Sequence, residues 1–217
     1  MRGAKWALPV LGVCLLGRMA AGQATVTVEY TNQNIQPSHW VLVVHPDGSG
    51  QFDSDASDAE GAGGATIHLG AVHRDLQLSQ GFADRVFTVA RERKLFNFKC
   101  DSGMKVAFQG IKRFSYSGPE GTGNCAYNYS KDSTIENLGD SVIAVATTIE
   151  AGERLKRLQQ HDRLGLDHEM EELVVTAHQG QAIELSVIRD VLERIVADDQ
   201  LLERVRRKAR LLLGDAR

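Results

Sequence analysis

The sequence contains no complete catalytic or metal-binding motif. It has no HExxH zinc motif, no His with an Asp three residues before it, and no glycine loop that opens a helix as phosphate-binding loops do. Cationic residues are outnumbered, with 25 Lys and Arg against 28 Asp and Glu, and no long apolar run follows the N-terminus. These absences argue against an enzyme with a compact motif, a nucleic-acid-binding protein and a membrane-spanning protein.

The N-terminal segment has the order of a secretory signal peptide. In MRGAKWALPVLGVCLLGRMAAGQA, basic residues precede an apolar run from Trp6 to Leu16, and small residues follow around Gly22. The run is too short for a transmembrane helix, which needs about 20 apolar residues. Cleavage after Gly22 or after Ala24 fits equally well. We take residues 1–22 as the signal peptide and expect a periplasmic or secreted protein. Its net charge is about −6, because residues 1–22 carry three cationic and no acidic residues of a chain whose net charge is −3.

Cysteine is scarce: the sequence has 3, and cleavage of the signal peptide removes Cys14. The remaining pair, Cys100 and Cys125, is most simply a disulfide bond in an oxidising compartment. On the chain-entropy model, closing a loop of about 25 residues stabilises the fold by about 3 kcal/mol. The alternative is a pair of free buried thiols.

The character of the sequence changes near residue 131, which predicts an α+β fold in two parts. Residues 23–131 contain short alternating segments rich in Gly, Thr and aromatic residues, whereas residues 132–217 contain long helical periods without Pro. We expect the first part to be a disulfide-stapled module with a small antiparallel sheet and one packed helix. We expect the second part to be all-helical.

Local patterns place the elements of both parts. TVTVEY alternates as a strand, HWVLVVHPDGSGQFDS predicts a hairpin, and DSDASDAEGAGGA predicts an exposed loop. Ser79 is the N-cap of a predicted helix of about four turns, and KVAFQGIKRFSYS and CAYNYS alternate as strands. In the second part, apolar spacing predicts helices over about 133–160, 167–178 and 181–196, and a last helix capped by Asp198 or Asp199.

The glycine-rich stretch GPEGTG lies between two predicted strands. A phosphate site needs aligned N–H groups at a helix N-terminus, and Glu120 would repel an anion, so we interpret the stretch as a hairpin loop. Aromatic residues on this and neighbouring strands form a candidate binding surface for a glycan or peptide, namely Trp40, Tyr116, Tyr127 and Tyr129. Tyrosines that line a half-buried sheet are the alternative interpretation.

The C-terminal segment LLERVRRKARLLL is amphipathic and strongly basic. Its cations make it a candidate contact helix for an anionic membrane surface or the acidic groove of a partner: Arg204, Arg206, Arg207, Lys208 and Arg210. The alternative is a solvated face whose cations suit the C-terminal end of the helix dipole. The last two helices also suggest a homo-oligomer that forms through the C-terminal helices.

Two short motifs resemble known sites without completing them. GDSVIA resembles the serine block of the GDSL esterases, and the resemblance implies Ser141 as a nucleophile. In that family the block follows a strand and is completed by a downstream DxxH, whereas Ser141 falls in a helical period. DSDASD resembles the start of a calcium loop, but Asp58 and Gly64 stand where an EF-hand has Gly and Glu.

The segment HDRLGLDHEMEE comes nearest to a metal site. His161, His168 and Glu172 would share one face of an unbroken helix, at spacings that zinc ligands use. Gly165 and Asp167 instead predict a helix break and a new N-cap. We therefore assign no metal, no cofactor and no catalytic residue.

Three runs between residues 25 and 130 carry a family resemblance: HWVLVVHPDGSGQF, VARERKLFNFKC and KRFSYSGPEGTGNCAYNYS. They resemble a class of uncharacterised exported proteins of environmental bacteria, in which a hairpin, a helix and further strands form a small two-layer sheet. The resemblance implies an exported α+β module and no activity.

The sequence favours a non-enzymatic exported protein that binds an unknown protein or small ligand. One alternative is a hydrolase or metal-dependent enzyme whose site is dispersed in the sequence. The other is a membrane-surface adaptor that uses the basic C-terminal helix.

Overall fold

The computed structural model describes residues 23–60 and 66–215. The predicted signal peptide lies outside them. The described chain is α+β, as predicted. Its strands are β1 (Thr25–Thr31), β2 (His39–Val44), β3 (Ser49–Ser54), β4 (Ser57–Glu60), β5 (Thr66–Leu69), β6 (Val72–Gln77), β7 (Ile111–Gly118) and β8 (Gly121–Tyr127). Its helices are α1 (Gln80–Glu92), α2 (Ser133–His161), α3 (Arg163–His178), α4 (Arg189–Ala197) and α5 (Glu203–Asp215).

Six strands form one antiparallel sheet in the order β6-β3-β2-β1-β7-β8, and β4 and β5 form a separate hairpin. Alternate residues of β1 and β2 are buried, because a period of two directs one set of side chains towards the helices. Val28 is paired with both Leu42 and Phe114, so these three buried side chains form a row across the sheet. The β7–β8 connection is the predicted hairpin turn, with Gly118 opposite Gly121.

Helix α1 begins where the sequence predicts it. The hydroxyl of Ser79 accepts a hydrogen bond from the N–H of Phe82, which satisfies one free donor of the first turn. Phe82, Val86 and Val89 are buried, and α1 contacts both β1 and α2. The chain then passes through a 3-10 turn, Lys94–Phe96, that packs against β7 and β8.

Helix α3 begins at Arg163, four residues earlier than predicted. Asp162 is its N-cap, and the Asp162 carboxylate accepts hydrogen bonds of 3.0 Å from two N–H groups of the first turn. Gly165 lies inside the helix, where a Cβ would collide with the side chains of Asp162 and Leu158. The predicted break and N-cap at Gly165 and Asp167 are therefore wrong, because Asp162 supplies the cap first.

Two other predicted boundaries also differ. Residues 181–196 do not form one helix: Glu184 has a left-handed φ of 57°, and a 3-10 turn, Leu185–Ile188, precedes α4. The segment predicted as an exposed loop over residues 53–65 includes β4, which pairs with β5. Its remaining residues 61–65 lie outside the described chain.

Buried side chains of the sheet and of the helices belong to one hydrophobic cluster. Helix α2 contacts α1, α3, α4 and β5, and its Val142 and Ile149 have no exposed surface. Arg74 of β6 adds ion pairs to Glu153 of α2, at 3.2 Å, and to Asp190 of α4. The division into two domains at residue 131 stays a prediction.

Candidate interaction site

A disulfide-bonded pair lies next to the exposed segment 103–109, which is the candidate site. Cys100, after the 3-10 turn, and Cys125, in β8, are at bonding distance with their Cα atoms 5.9 Å apart. Both are at most 5 % exposed. The predicted pair is confirmed, and it fixes the chain that leaves α1 to the edge strand of the sheet.

Residues Gly103–Gln109, which we call the docking loop, are exposed at all seven positions. The loop carries three large apolar side chains, and they are exposed by 52 % at Met104, 37 % at Val106 and 51 % at Phe108. Apolar side chains of this size are usually buried, so three of them in one exposed segment make the loop a candidate contact surface.

The start of the docking loop is held by polar bonds. The carboxylate of Asp101 accepts hydrogen bonds from the N–H of Gly103, at 2.7 Å, and of Asn128, at 3.2 Å. These bonds hold the pKa of Asp101 below its ordinary value. The N–H of Ser102 donates to the carbonyl of Tyr129 at 2.9 Å, which ties the chain beside the end of β8.

The end of the docking loop is held as firmly. The side chain of Asn128 accepts from the N–H of Gln109, at 2.7 Å, and donates to the carbonyl of Ala107, at 3.1 Å. The hydroxyl of Tyr30 donates to the carbonyl of Gln109 at 2.8 Å. Gly110 follows with a φ of +95°, and a Cβ there would overlap the Tyr30 ring. The loop is therefore positioned without using its apolar side chains.

Three exposed lysines surround the docking loop, and we call them the lysine collar: Lys99, Lys105 and Lys131. Lys99 and Lys131 line a groove of about 480 Å³ together with Asp101 and Ser102. None of the three makes an ion pair with any residue that the structure describes. By contrast, Asp132 beside the same groove is neutralised by Arg93, with 2.6 Å between Nε and Oδ2. The base of the loop therefore has an excess of positive charge.

The predicted aromatic binding surface is wrong at three of its four residues. Trp40, Tyr116 and Tyr127 are 3 %, 2 % and 1 % exposed. Trp40 stacks on Tyr30 with 5.2 Å between ring centroids, and the hydroxyl of Tyr127 donates to the carbonyl of Ile135 at 2.9 Å. Their strand positions point to the side of the sheet that the helices cover, so these residues form the core.

Tyr129, the fourth predicted residue, lies beyond the end of β8 and is half-buried. Its carbonyl accepts the bond from Ser102 that starts the docking loop. It therefore contributes to the interaction site through its backbone.

The predicted contact helix corresponds to α5, which packs against α3 and α4. Asp167 of α3 pairs with Arg204 at 2.8 Å and with Lys208 at 3.2 Å. Burial opposes ionisation of Asp167, but the two cations together hold its pKa below its ordinary value. Glu203 pairs with both Arg206 and Arg210. Most of the positive charge of α5 is therefore used inside the fold.

Arg207 is the exception among the cations of α5. It is exposed and makes no ion pair within the described chain. Among the described residues, no helix combines the length and the hydropathy that crossing a membrane requires.

The sequence motifs that resemble enzyme sites remain incomplete in the fold. Ser141 lies within α2, where its hydroxyl donates to the carbonyl of Asn137 at 2.8 Å. His161 ends α2, whereas His168 lies in α3 and pairs with Glu172 at 3.1 Å. Across residues 23–60 and 66–215, no three His, Cys, Asp or Glu side chains are grouped to hold a metal ion.

Two of the acidic residues that resemble a calcium loop, Asp53 and Asp58, pair with histidines. Asp53 lies 2.6 Å from His73, and the hydrogen bond between them raises the pKa of His73. Asp58 lies 2.7 Å from His68. These pairs join neighbouring strands and do not converge on one point.

The docking loop is the feature that sequence interpretation missed. The alternation in KVAFQG predicts the start of a strand, but β7 begins only at Ile111. The available signal was the pair of glycines at 103 and 110, both with positive φ in the structure, that bracket an apolar run. Comparison with models of protein families and with curated protein sequences found no match for the chain.

Proposed function

We propose that the protein is an exported, non-enzymatic interaction protein that contacts its partner through the docking loop. The observation that carries this proposal is that the side chains of Met104, Val106 and Phe108 are exposed to solvent on a loop that hydrogen bonds hold in place. The compartment in this proposal rests on the signal-peptide pattern, and the Cys100–Cys125 pair supports an oxidising environment.

The energetics of the docking loop favour binding. Moving a Met, Val or Phe side chain from water into a partner stabilises the complex by roughly 1.5–3 kcal/mol per residue when burial is complete. Ordering a flexible loop would consume part of that free energy. Here the bonds made by Asp101, Asn128 and Tyr30 already order the loop in the free protein, so less of the gain is lost.

A hydrolase or metal-dependent enzyme has less support. Such a site needs a nucleophile, a base or a metal ligand set within hydrogen-bonding reach of one another. Ser141 is bonded only to its own helix, and the two histidines at the α2–α3 joint lie on different helices. We therefore keep the enzyme as an alternative without a candidate residue.

Site-specific photo-crosslinking in cells that export the protein tests this proposal. A benzophenone amino acid replaces Val106 in one version and Val175 in the matched control, because the two valines are 37 % and 43 % exposed and Val175 lies in α3. We expect ultraviolet light to produce an adduct from position 106 and none from position 175. Adducts of equal yield at the two positions, or none at either, would contradict an interaction through the docking loop.

A second version isolates the apolar side chains. Position 106 again carries the crosslinker, and Met104→Ser with Phe108→Ser removes the neighbouring apolar groups. We expect most of the adduct to be lost. An unchanged yield would show that the partner contacts the backbone or another surface near the loop.

A further inference from the structure

We infer that the docking loop inserts its apolar tip into an anionic lipid surface, with the lysine collar facing the headgroups. This inference rests on the proposed function and names the partner of the same site. The sequence suggested a membrane contact through the basic helix α5. We place that contact at the docking loop instead.

The shape of the loop favours a lipid surface over a folded protein partner. Seven consecutive exposed residues make the tip convex, and the N–H of Val106 donates to the carbonyl of Met104 at 3.1 Å, which bends the chain at Lys105. The neighbouring groove is lined mainly by polar residues and receives none of the three apolar side chains. A projecting apolar tip flanked by cations is the pattern that enters the boundary between lipid headgroups and acyl chains.

The charges around the loop have the sign that an anionic surface requires. Lys99, Lys105 and Lys131 are unpaired within the described chain, although the exported protein as a whole is acidic. Long lysine side chains keep their ammonium groups among the headgroups while neighbouring apolar groups enter the acyl boundary. Each such lysine attracts an anionic surface by about 1 kcal/mol.

The acidic groups near the collar do not cancel it. Asp101 has its carboxylate occupied by two backbone N–H groups at the base of the loop. Asp132 is paired with Arg93, with 2.6 Å between Nε and Oδ2, and the carboxylate of Glu136 accepts a hydrogen bond of 3.2 Å from the N–H of Ser130, next to Lys131. Asp132 therefore has its own cation, and the three lysines of the collar outnumber the two remaining carboxylates, Asp101 and Glu136.

The test measures binding of the exported protein, its mass verified, to vesicles by co-sedimentation. One vesicle contains equal parts of phosphatidylglycerol and phosphatidylethanolamine, and the comparison vesicle contains phosphatidylcholine. We expect binding to the anionic vesicle alone, and we expect it to weaken as salt rises from about 0.05 M to about 0.5 M. Met104→Ser with Phe108→Ser should lower the partition coefficient about tenfold or more.

Charge variants separate the two basic surfaces. Lys99→Gln and Lys131→Gln should each lower the partition coefficient about fivefold, which corresponds to about 1 kcal/mol. Arg207→Gln is the matched control, because Arg207 is the exposed, unpaired cation of α5. We expect it to leave binding unchanged. Binding that Arg207→Gln weakens and the loop variants do not would overturn the inference in favour of the contact helix.

The remaining outcomes distinguish this inference from the proposed function. Absence of vesicle binding together with a protein adduct from position 106 overturns the lipid surface and leaves the interaction protein in place. Equal binding to both vesicles overturns the role of the lysine collar. Absence of both vesicle binding and a crosslinked adduct overturns the inference and the proposed function together.

Discussion

Helix α5 and the docking loop both combine cations with apolar residues, yet the fold uses them in opposite ways. In α5, Val205, Ala209 and Leu212 are at most 1 % exposed, and Asp167 of α3 pairs with two of its cations. In the docking loop, the apolar side chains are in solvent, and the lysine collar makes no ion pair within the described chain.

The difference lies in what the fold places opposite each segment. A third element, α3, supplies α5 with carboxylates and a packing surface. The docking loop is attached only at its ends, through Asp101, Asn128 and Tyr30. A basic amphipathic pattern therefore indicates a contact surface only where tertiary structure leaves the charges and apolar groups without partners.

Among the variants that test the difference between the docking loop and α5, removal of the disulfide bond should change stability most. We expect Cys100→Ser with Cys125→Ser to lower the free energy of unfolding by about 3 kcal/mol in urea titrations. Because the bond lies at the base of the docking loop, amide exchange should accelerate in residues 101–109 more than in α5. A double variant as stable as the wild-type protein would show that a Cys100–Cys125 bond does not stabilise the fold.

A half-buried carboxylate in α2, that of Glu150, should give the next largest effect on stability, with a characteristic pH dependence. Burial raises the pKa of Glu150 to about 7, against the opposing attraction of Arg154. Because the folded pKa exceeds the unfolded value, the stability it contributes is complete below the unfolded pKa and is lost as pH rises through 7. At pH about 8, Glu150→Gln should raise the free energy of unfolding by about 2 kcal/mol.

The control for this prediction is a glutamate in solvent. Glu193→Gln in α4 removes a carboxylate whose side chain is 59 % exposed. Glu193→Gln should leave the free energy of unfolding nearly unchanged at pH about 8 and at pH about 4. Glu150→Gln and wild type should converge in stability near pH 4, and a constant difference across the range would show that the effect is not titration.

Asp167→Asn breaks the pairing that distinguishes α5 from the docking loop. We expect a loss of about 1 kcal/mol at neutral pH, because Arg204 and Lys208 lose a partly buried partner. The folded pKa of Asp167 is lowered, so its stabilisation is present above the unfolded pKa and is lost as pH falls through the folded pKa. Urea titrations should therefore show the difference vanish as the pH falls through the folded pKa of Asp167.

Asp167→Asn also tests how α5 and the docking loop differ in binding to membranes. If unpaired cations are what an anionic surface needs, Asp167→Asn should increase binding of α5 to phosphatidylglycerol vesicles while the docking loop is unchanged. Binding that stays fully dependent on Phe108 would show that charge alone does not make α5 a contact surface.

Asn128→Ala should loosen the docking loop with little effect on the stability of the remaining structure. The side chain makes two bonds to the loop, so we expect a loss of at most about 1 kcal/mol in global stability. Amide exchange should accelerate in residues 103–109. Asn124→Ala is the matched control, because Asn124 is an exposed asparagine of β8 four residues before Asn128, and faster exchange in both variants would contradict a specific tether.

Local patterns accounted for several elements of this fold. The Ser79 cap, the hairpin turn at Gly118–Gly121 and the Cys100–Cys125 pair could all be predicted, because each depends on a few neighbouring residues or on a single possible pairing. The start of α3 was missed because two aspartates compete as caps, and Asp162 reaches the first-turn N–H groups before Asp167.

The candidate site depended on longer-range information. Alternation placed Trp40, Tyr116 and Tyr127 on one face of the sheet, but only the packing of the helices decides that this face is buried. The docking loop resembled a strand in sequence, and its tether to Tyr30 spans 79 residues. Contacts of that separation leave no local pattern.

Phe108→Ser should have the smallest effect on stability, and it tests the comparison most directly. The side chain is 51 % exposed, so we expect the free energy of unfolding to change by less than about 0.5 kcal/mol. Leu212→Ser in α5 is the counterpart, because Leu212 is 1 % exposed and its loss leaves a cavity that costs about 3 kcal/mol. If Phe108→Ser destabilises the protein as much as Leu212→Ser, the loop is part of the core in solution, and its apolar side chains are not available to a membrane.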